Sequence, residues 1–202
     1  MILDAALGRS TRFLEKLGFD VVGVDVSEDM LKKARELHPK GDYRLTKDDD
    51  FSQFEKEDYD LILSVFTFDN IPTMQNKVKI FTQLGRLLRN QGRIISVVSS
   101  PEIYVHEWSS FSTKDFPENK HAKSGDTVKI IQTDTEDKRP VEDIIWTNES
   151  YKETYKTSRL QIIKTYKPLA KRNEPHKWVN ETKIAPWTIY VLKKRACRST
   201  HN

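Results

Sequence analysis

Asp25 stands at the end of the apolar run Val21-Val22-Gly23-Val24, and Ser27-Glu28-Asp29-Met30-Leu31 follows it with the marks of a helix start, a capping hydroxyl and an acidic first turn. A carboxylate held between a strand end and a helix start can accept both hydroxyls of a ribose, because ligands of open α/β sheets lie beyond the carboxyl ends of the strands. A second carboxylate, Asp4, closes the earlier strand Met1-Ile2-Leu3 and precedes a turn containing Gly8. Two acidic strand ends side by side point to a nucleoside ligand. The plainer alternatives are a helix-cap or turn role for Asp25 and, for Asp4, a cap on the helix starting near Thr11.

Together with Tyr59-Asp60-Leu61-Ile62-Leu63-Ser64 and Gly92-Arg93-Ile94-Ile95-Ser96-Val97-Val98, these segments resemble the class I S-adenosylmethionine-dependent methyltransferases, closely over the first half of the chain and more loosely over the last third. The resemblance implies S-adenosylmethionine as cofactor. It implies Asp4, Ala6 and Gly8 near the methionine end, and Asp25 with Val26 at the ribose. Asp48, or Asp49 in its stead, falls where the family binds adenine, and a solvated acidic turn is the alternative for both. Met30 either packs on adenine or belongs to the core. Ser64 and Phe66 are expected to line the cofactor pocket through backbone and ring.

The sequence also departs from the family. The usual loop reads acid-x-Gly-x-Gly-x-Gly, whereas Asp4-Ala5-Ala6-Leu7-Gly8 keeps one glycine and aligns two residues short. Glycine reaches backbone angles closed to other residues and lets a ligand approach the main chain. Ala6 and Leu7 therefore put side chains where the family leaves space. The sequence begins at the first strand, so the helices that family members lay over the cofactor are expected to be missing. Two readings follow: methyl transfer to a small-molecule acceptor, or a catalytically silent methyltransferase-like binding protein with an impaired cofactor site. A nicotinamide-dependent reading is weaker, since no G-x-G-x-x-G turn offers itself to a pyrophosphate.

Methyl transfer from a sulfonium is an in-line displacement. The protein has to align donor and acceptor, exclude water and remove a proton where the acceptor demands it. Asp69 and Asn70, in Phe66-Thr67-Phe68-Asp69-Asn70-Ile71-Pro72, fall where the family places residues beside the methyl group. They either orient the acceptor or cap the helix near Thr73. Tyr104 and His106, in Tyr104-Val105-His106-Glu107-Trp108, form an acceptor pocket with His106 as base, or else an ordinary structured loop. Glu174-Pro175-His176-Lys177-Trp178 either borders the same pocket or is an edge loop.

Composition narrows the classes. The 202 residues are 32% charged and 37% hydrophobic, without an apolar run long enough to span a bilayer and without a basic-apolar leader. A cytoplasmic protein with no membrane partner is the default expectation. The single Cys197 lies in a polar tail and is expected to be a free surface thiol, and the five histidines are too dispersed for a metal site. Net charge is +4 from thirty-four basic and thirty acidic residues interspersed with one another. The nearest approach to a basic face, Lys167 to Arg172, is interrupted by Pro168-Leu169-Ala170, which argues against a nucleic-acid partner. Nothing in the sequence specifies an oligomeric state.

The elements that must hold these residues alternate. Helices are expected over Thr11 to Leu17 (closed by Gly18), Ser27 to Leu37 (with Met30, Leu31, Ala34 and Leu37 on one face), Thr73 to Leu88 and Asn148 to Thr157. Strands are expected over Asp42 to Thr46, Asp58 to Val65, Arg93 to Val98 (with Gly92 ending the turn before it), Leu160 to Tyr166 and Trp187 to Lys193. Thr127 to Gln132 and Val141 to Trp146 are expected to pair as an antiparallel insertion. The fold class that follows is α/β: one domain over residues 1–202, a doubly wound, mostly parallel seven-stranded sheet with a Rossmann-like methyltransferase fold and an antiparallel C-terminal edge. Residues 99–147 form an inserted α+β cap or substrate-recognition element.

Overall fold

The computed structural model describes residues 1–47 and 50–195. Its first half alternates strands and helices: β1 (Ile2–Leu3), α1 (Arg9–Lys16), β2 (Val22–Asp25), α2 (Glu28–Leu37), β3 (Asp42–Leu45), β4 (Tyr59–Val65), α3 (Met74–Leu87) and β5 (Leu88–Ser99). After it come β6 (Phe111–Ser112), β7 (Thr127–Gln132), β8 (Val141–Ile144), α4 (Asn148–Thr157), β9 (Leu160–Tyr166) and β10 (Trp187–Lys194). Seven strands make one sheet in the order β3-β2-β1-β4-β5-β10-β9, and β6-β7-β8 make a separate antiparallel sheet. The first five strands of the large sheet are parallel, and β10 runs antiparallel to both its neighbours. This is the Rossmann-like methyltransferase topology.

Strand order reverses between β1 and β4, and a crevice opens at such a switch point. Register decides what lines it. Leu3 pairs with Val24 and with Ser64, so Asp4 and Asp25 leave the sheet at one level.

Alternation along β2 sends Val22 and Val24 toward α3 and α4, into the main core with Phe68, Phe81, Leu84, Tyr151 and Tyr155. The opposite face packs more lightly, as Ala5, Leu31, Ala34 and Tyr43. Gly23 is required there, because a Cβ would come within 2.9 Å of both Ala5 and Tyr43. A further cluster of Ile103, Tyr104, Trp108, Val128, Ile130 and Ile145 belongs to residues 103–145 and has its own apolar centre.

Hydroxyl caps start three helices: Ser27 Oγ accepts from Met30 N, Thr73 Oγ1 from Asn76 N and Thr147 Oγ1 from Ser150 N. Several sequence expectations need correction. On α2 only Leu31 and Ala34 are buried, while Met30 and Leu37 face outward, because the lighter face of the sheet offers a single contact line. Strand β5 begins at Leu88, directly after α3, and Gly92 lies within it. There the β4–β5 register slips between Tyr59 and Leu61, and a Cβ on Gly92 would stand 2.8 Å from the Tyr59 carbonyl oxygen. The α3 stripe carries Lys77 in line with Ile80, Phe81, Leu84 and Leu87, all buried. Strand β8 stops at Ile144, two residues short of Trp146, and β6 is a strand that periodicity did not reveal. Cys197 lies outside the described residues. No helix among the described residues is long and apolar enough to cross a membrane.

Candidate active site

A cleft of ≈ 570 Å³ opens at the carboxyl ends of β1, β2 and β4. Its apolar wall is Leu3, Val24, Val26, Phe51, Ile71 and Ile80, and its polar groups are Asp4, Asp25, Thr46, Thr67 and Asn76. Volume and lining are those of a small-molecule site.

Asp25 is buried and its carboxylate is held by two amides. Ala6 N–H donates to Oδ2 at 2.8 Å and Ser27 N–H to Oδ1 at 2.9 Å. Each carboxylate oxygen can accept twice, and one of the two sites the amides leave free takes the hydrogen bond from the Asp4 carboxyl. Asp4 lies beside this group, at the end of the neighbouring strand. Burial, the negative charge of Asp25 and a hydrogen bond to it push the Asp4 carboxyl above the usual carboxylate range. Two carboxyl groups side by side at the lip of an apolar cleft can receive a cation.

The shortened loop explains part of this geometry. Asp4 and Ala6 both take positive φ, 56° and 42°, which turns the Ala6 amide onto Asp25. Gly8 (φ 71°) is the N-cap of α1 and uses no side chain, so Asp4 does not cap that helix. A Cβ on Gly8 would clash with the Tyr43 hydroxyl. Gly8 therefore shapes the loop from behind and lies outside the cleft lining.

The other expected site residues divide. Val26 lines the cleft. Met30 is exposed and stands away from both the cleft lining and the core. Asp48 and Asp49 lie outside the described residues; next to them, Phe51 lines the cleft and is anchored by Gln83 Oε1, which accepts its N–H, and by Arg86, which donates to its carbonyl. Ser64 is fully buried inside β4, its hydroxyl without a partner, and does not reach the cleft. Phe66 (φ 60°) is exposed and meets Trp187 edge to face at 5.7 Å.

Asp69 turns inward. Its carboxylate accepts the Ser99 amide at 3.1 Å and the Tyr151 hydroxyl at 2.9 Å, and burial raises its pKa. Beside it the Lys77 ammonium donates to the Phe68 carbonyl and lies 4.3 Å from the centre of the Trp146 ring. Burial lowers the Lys77 pKa to about 7. Asn70 is exposed in the turn that follows.

Tyr104 is buried in the cluster of residues 103–145, its pKa raised by burial, and His106 uses its carbonyl to accept from Thr113 Oγ1. Trp108 spends its indole N–H on the Ile103 carbonyl. None of Asp69, Asn70, Tyr104 and His106 lines the cleft, because each is committed to a turn or to a core. Thr46, Phe51, Thr67, Phe68, Ile71, Pro72, Asn76 and Ile80 line it without having been singled out. The signal available for the middle of this set was their position directly after strand ends.

Comparison with known proteins agrees with this topology. Residues 3–96 match a family model described as a methyltransferase domain. An S-adenosylmethionine-dependent methyltransferase from Methanosarcina mazei superposes with a TM-score of 0.69 at 13% identity, covering 97% of this chain and 92% of that one. The CcbJ methyltransferase from Streptomyces caelestis gives 0.68 at 15% identity over 96% and 82%. An S-adenosylmethionine-dependent methyltransferase from Clostridium acetobutylicum gives 0.65 at 15% identity over 96% and 83%. Among curated protein sequences nothing matches.

Proposed function

With residues 3–96 belonging to the class I S-adenosylmethionine-dependent methyltransferases, a family that uses S-adenosylmethionine as methyl donor, we propose that the cleft binds this cofactor and that the chain transfers its methyl group to a small molecule. The observation that carries the reading is the pair of neighbouring carboxyl groups, Asp4 and Asp25, lining the cleft at the switch point of the sheet. They fit a ligand with a positive sulfonium and ammonium at one end and a ribose at the other. Asp25 would accept a ribose hydroxyl on the lone pair that its two amides and Asp4 leave free, and Asp4 would face the cationic end. Val26, Phe51 and Ile80 would flank the adenine. When bound, the cofactor supplies an electrophilic methyl group whose sulfur leaves as a neutral thioether.

The chain's own contribution is alignment and exclusion of water. Thr67 and Phe68 close the side of the cleft that leads to β4, and Asp69 and Lys77 hold that loop from beneath. We read residues 1–202 as one methyltransferase-like domain and residues 99–147 as an inserted element that braces the acceptor side. The second reading, a silent binding protein, is favoured by one observation: the Ala6 amide is spent on Asp25.

Calorimetric titration with S-adenosylmethionine and S-adenosylhomocysteine decides between them. Saturable binding to wild type, weakened at least about tenfold in Asp25→Asn with the fold intact by circular dichroism, is expected for loss of a charge-assisted pair of hydrogen bonds. A folded wild type that takes up neither compound at millimolar concentration would overturn the enzymatic reading.

A further inference from the structure

We propose that Lys77 is a positioning residue for the donor cleft: its buried ammonium sets the Thr67–Phe68 wall from within the β4–α3 connection, and that wall loosens when the proton leaves. This rests on the main cleft being the donor site. Thr67 and Phe68 line that cleft, whereas Lys77 is fully buried, lies outside the lining and donates its Nζ to the Phe68 carbonyl. The connection is anchored on both sides of this bond. The Phe66 amide donates to the Val97 carbonyl, the Asp69 amide closes a turn on the Phe66 carbonyl at 3.2 Å, and the Phe68 ring stacks on Phe81 with centroids 4.0 Å apart. Between these anchors the Thr67 hydroxyl reaches the Leu3 carbonyl only at 3.5 Å, the outer limit of a hydrogen bond. The tilt of the Phe68 peptide is thus left to Lys77.

Packing alone does not call for a lysine at this position. Its neighbours on the α3 stripe are Ile80, Phe81, Leu84 and Leu87, all buried, and an unbranched apolar side chain such as methionine would fill the same space. A buried cation is costly and persists only where its surroundings satisfy it. Here those surroundings are the Phe68 carbonyl and the ring faces of Trp146 and Tyr151, whose centres lie 4.3 Å and 5.4 Å from Nζ. No carboxylate among the described residues stands within ion-pair distance of Lys77. Asp69 acts on it from further off, its own oxygens taken by the Ser99 amide and the Tyr151 hydroxyl.

The charge is conditional. Burial brings the Lys77 pKa down to about 7 against the pull of Asp69, so ammonium and amine are both populated near neutral pH. A charge-assisted hydrogen bond is about twice as strong as a neutral one, and the amine therefore holds the Phe68 carbonyl less firmly. The groups around Lys77 are Asp69 on the same connection, Tyr151 on α4 and Trp146 just before it. Tyr155, also on α4, and Tyr104 with Asp143, from residues 103–145, act on it through Asp69. Burial raises the three tyrosines above their ordinary range and keeps them neutral. It also raises Asp69, which is coupled to Lys77 and is tested separately.

Nitrogen-15 spectra of the ligand-free full chain, recorded from about pH 6 to pH 9, test the wall itself. The amide signals of Thr67, Phe68 and Asp69 are expected to move together with the Lys77 side-chain signal, on one midpoint of about 7. Lys77→Met is expected to abolish this movement, and Asp69→Asn, which removes the neighbouring negative charge, to shift the midpoint to lower pH. Affinity for S-adenosylhomocysteine, measured by calorimetry, is expected to fall about threefold across the same range in wild type and to stay at the weaker value throughout in Lys77→Met. Wall amides that stay fixed while Lys77 titrates, amides that titrate equally in Lys77→Met, or a wild-type affinity that does not change with pH would each overturn the proposal. The spectra need no ligand. A wall that titrates with Lys77 in a chain that takes up no S-adenosylhomocysteine would uphold the positioning of the wall and refute the donor assignment alone.

Discussion

Lys77 is the residue whose environment departs furthest from its type. It is fully buried on α3, with its ammonium on the Phe68 carbonyl, near Asp69 and the rings of Trp146 and Tyr151. Its pKa is near 7 when folded, against 10.5 for a free lysine. Between those values the unfolded chain keeps a proton that the folded chain has released, so stability rises with pH across that window. Above 10.0 the sign reverses, because Tyr151 and Tyr155 are held neutral by burial and ionise only on unfolding. Urea midpoints are therefore expected to climb from pH 7 to pH 9, and Lys77→Met is expected to lose much of that slope. Equal slopes in the two proteins would refute this account of Lys77. Asp25 was legible in the sequence because strand, acid and cap occur in order. Lys77 was not, since a lysine on an apolar stripe reads as a break in the stripe until Asp69 and the Phe68 carbonyl are seen beneath it.

At the scale of elements, apolar periodicity placed nearly every strand and helix of the large sheet, because each buries a continuous face. It failed where an element is defined by what it passes. Gly92 reads as a terminator, yet it lets β5 slip past the Tyr59 carbonyl without ending. Strand β6 is two residues long and exists through its pairing with Ile131 and Gln132. Of the candidate acceptor residues of 104–108, Tyr104 and Trp108 join a small core, where Trp108 bonds Ile103, while Tyr104 and Glu107 also line a cavity of ≈ 180 Å³ separate from the main cleft. The β1–α1 turn depends on one position. Gly8→Ala would meet the Tyr43 hydroxyl and hold a Cβ at φ 71°, and is expected to destabilise the protein by about 2 kcal/mol, measured by chemical denaturation. Tyr43→Phe in the same background should recover part of that loss by removing the clashing oxygen.

At the scale of the whole molecule, ligand and fold are linked through the main cleft, whose walls come from β1, β2, α3 and the segments around Thr46 and Thr67. A ligand gripping all of these stabilises the native state by mass action, by about 2.7 kcal/mol at a hundred times its dissociation constant. For a chain of this size that corresponds to about 5–10 °C in Tm. S-adenosylhomocysteine is expected to give such a shift in a thermal scan, reduced in Asp25→Asn, and a flat response at saturating ligand would contradict the assigned cleft. The doubly wound order was legible because it follows from alternating elements, whereas the separate core of residues 103–145 was not, since its contacts are long-range. The two ends of that segment return to the same strand: Ser99 pairs with Trp187 in the sheet, and Asn148 Oδ1 accepts from the Tyr190 hydroxyl at 2.7 Å. A segment that leaves and re-enters its host at neighbouring points, with its own centre, is a graft in mechanical terms. Because both ends of the segment are fixed to β10, a change of length inside it need not alter the register of the large sheet.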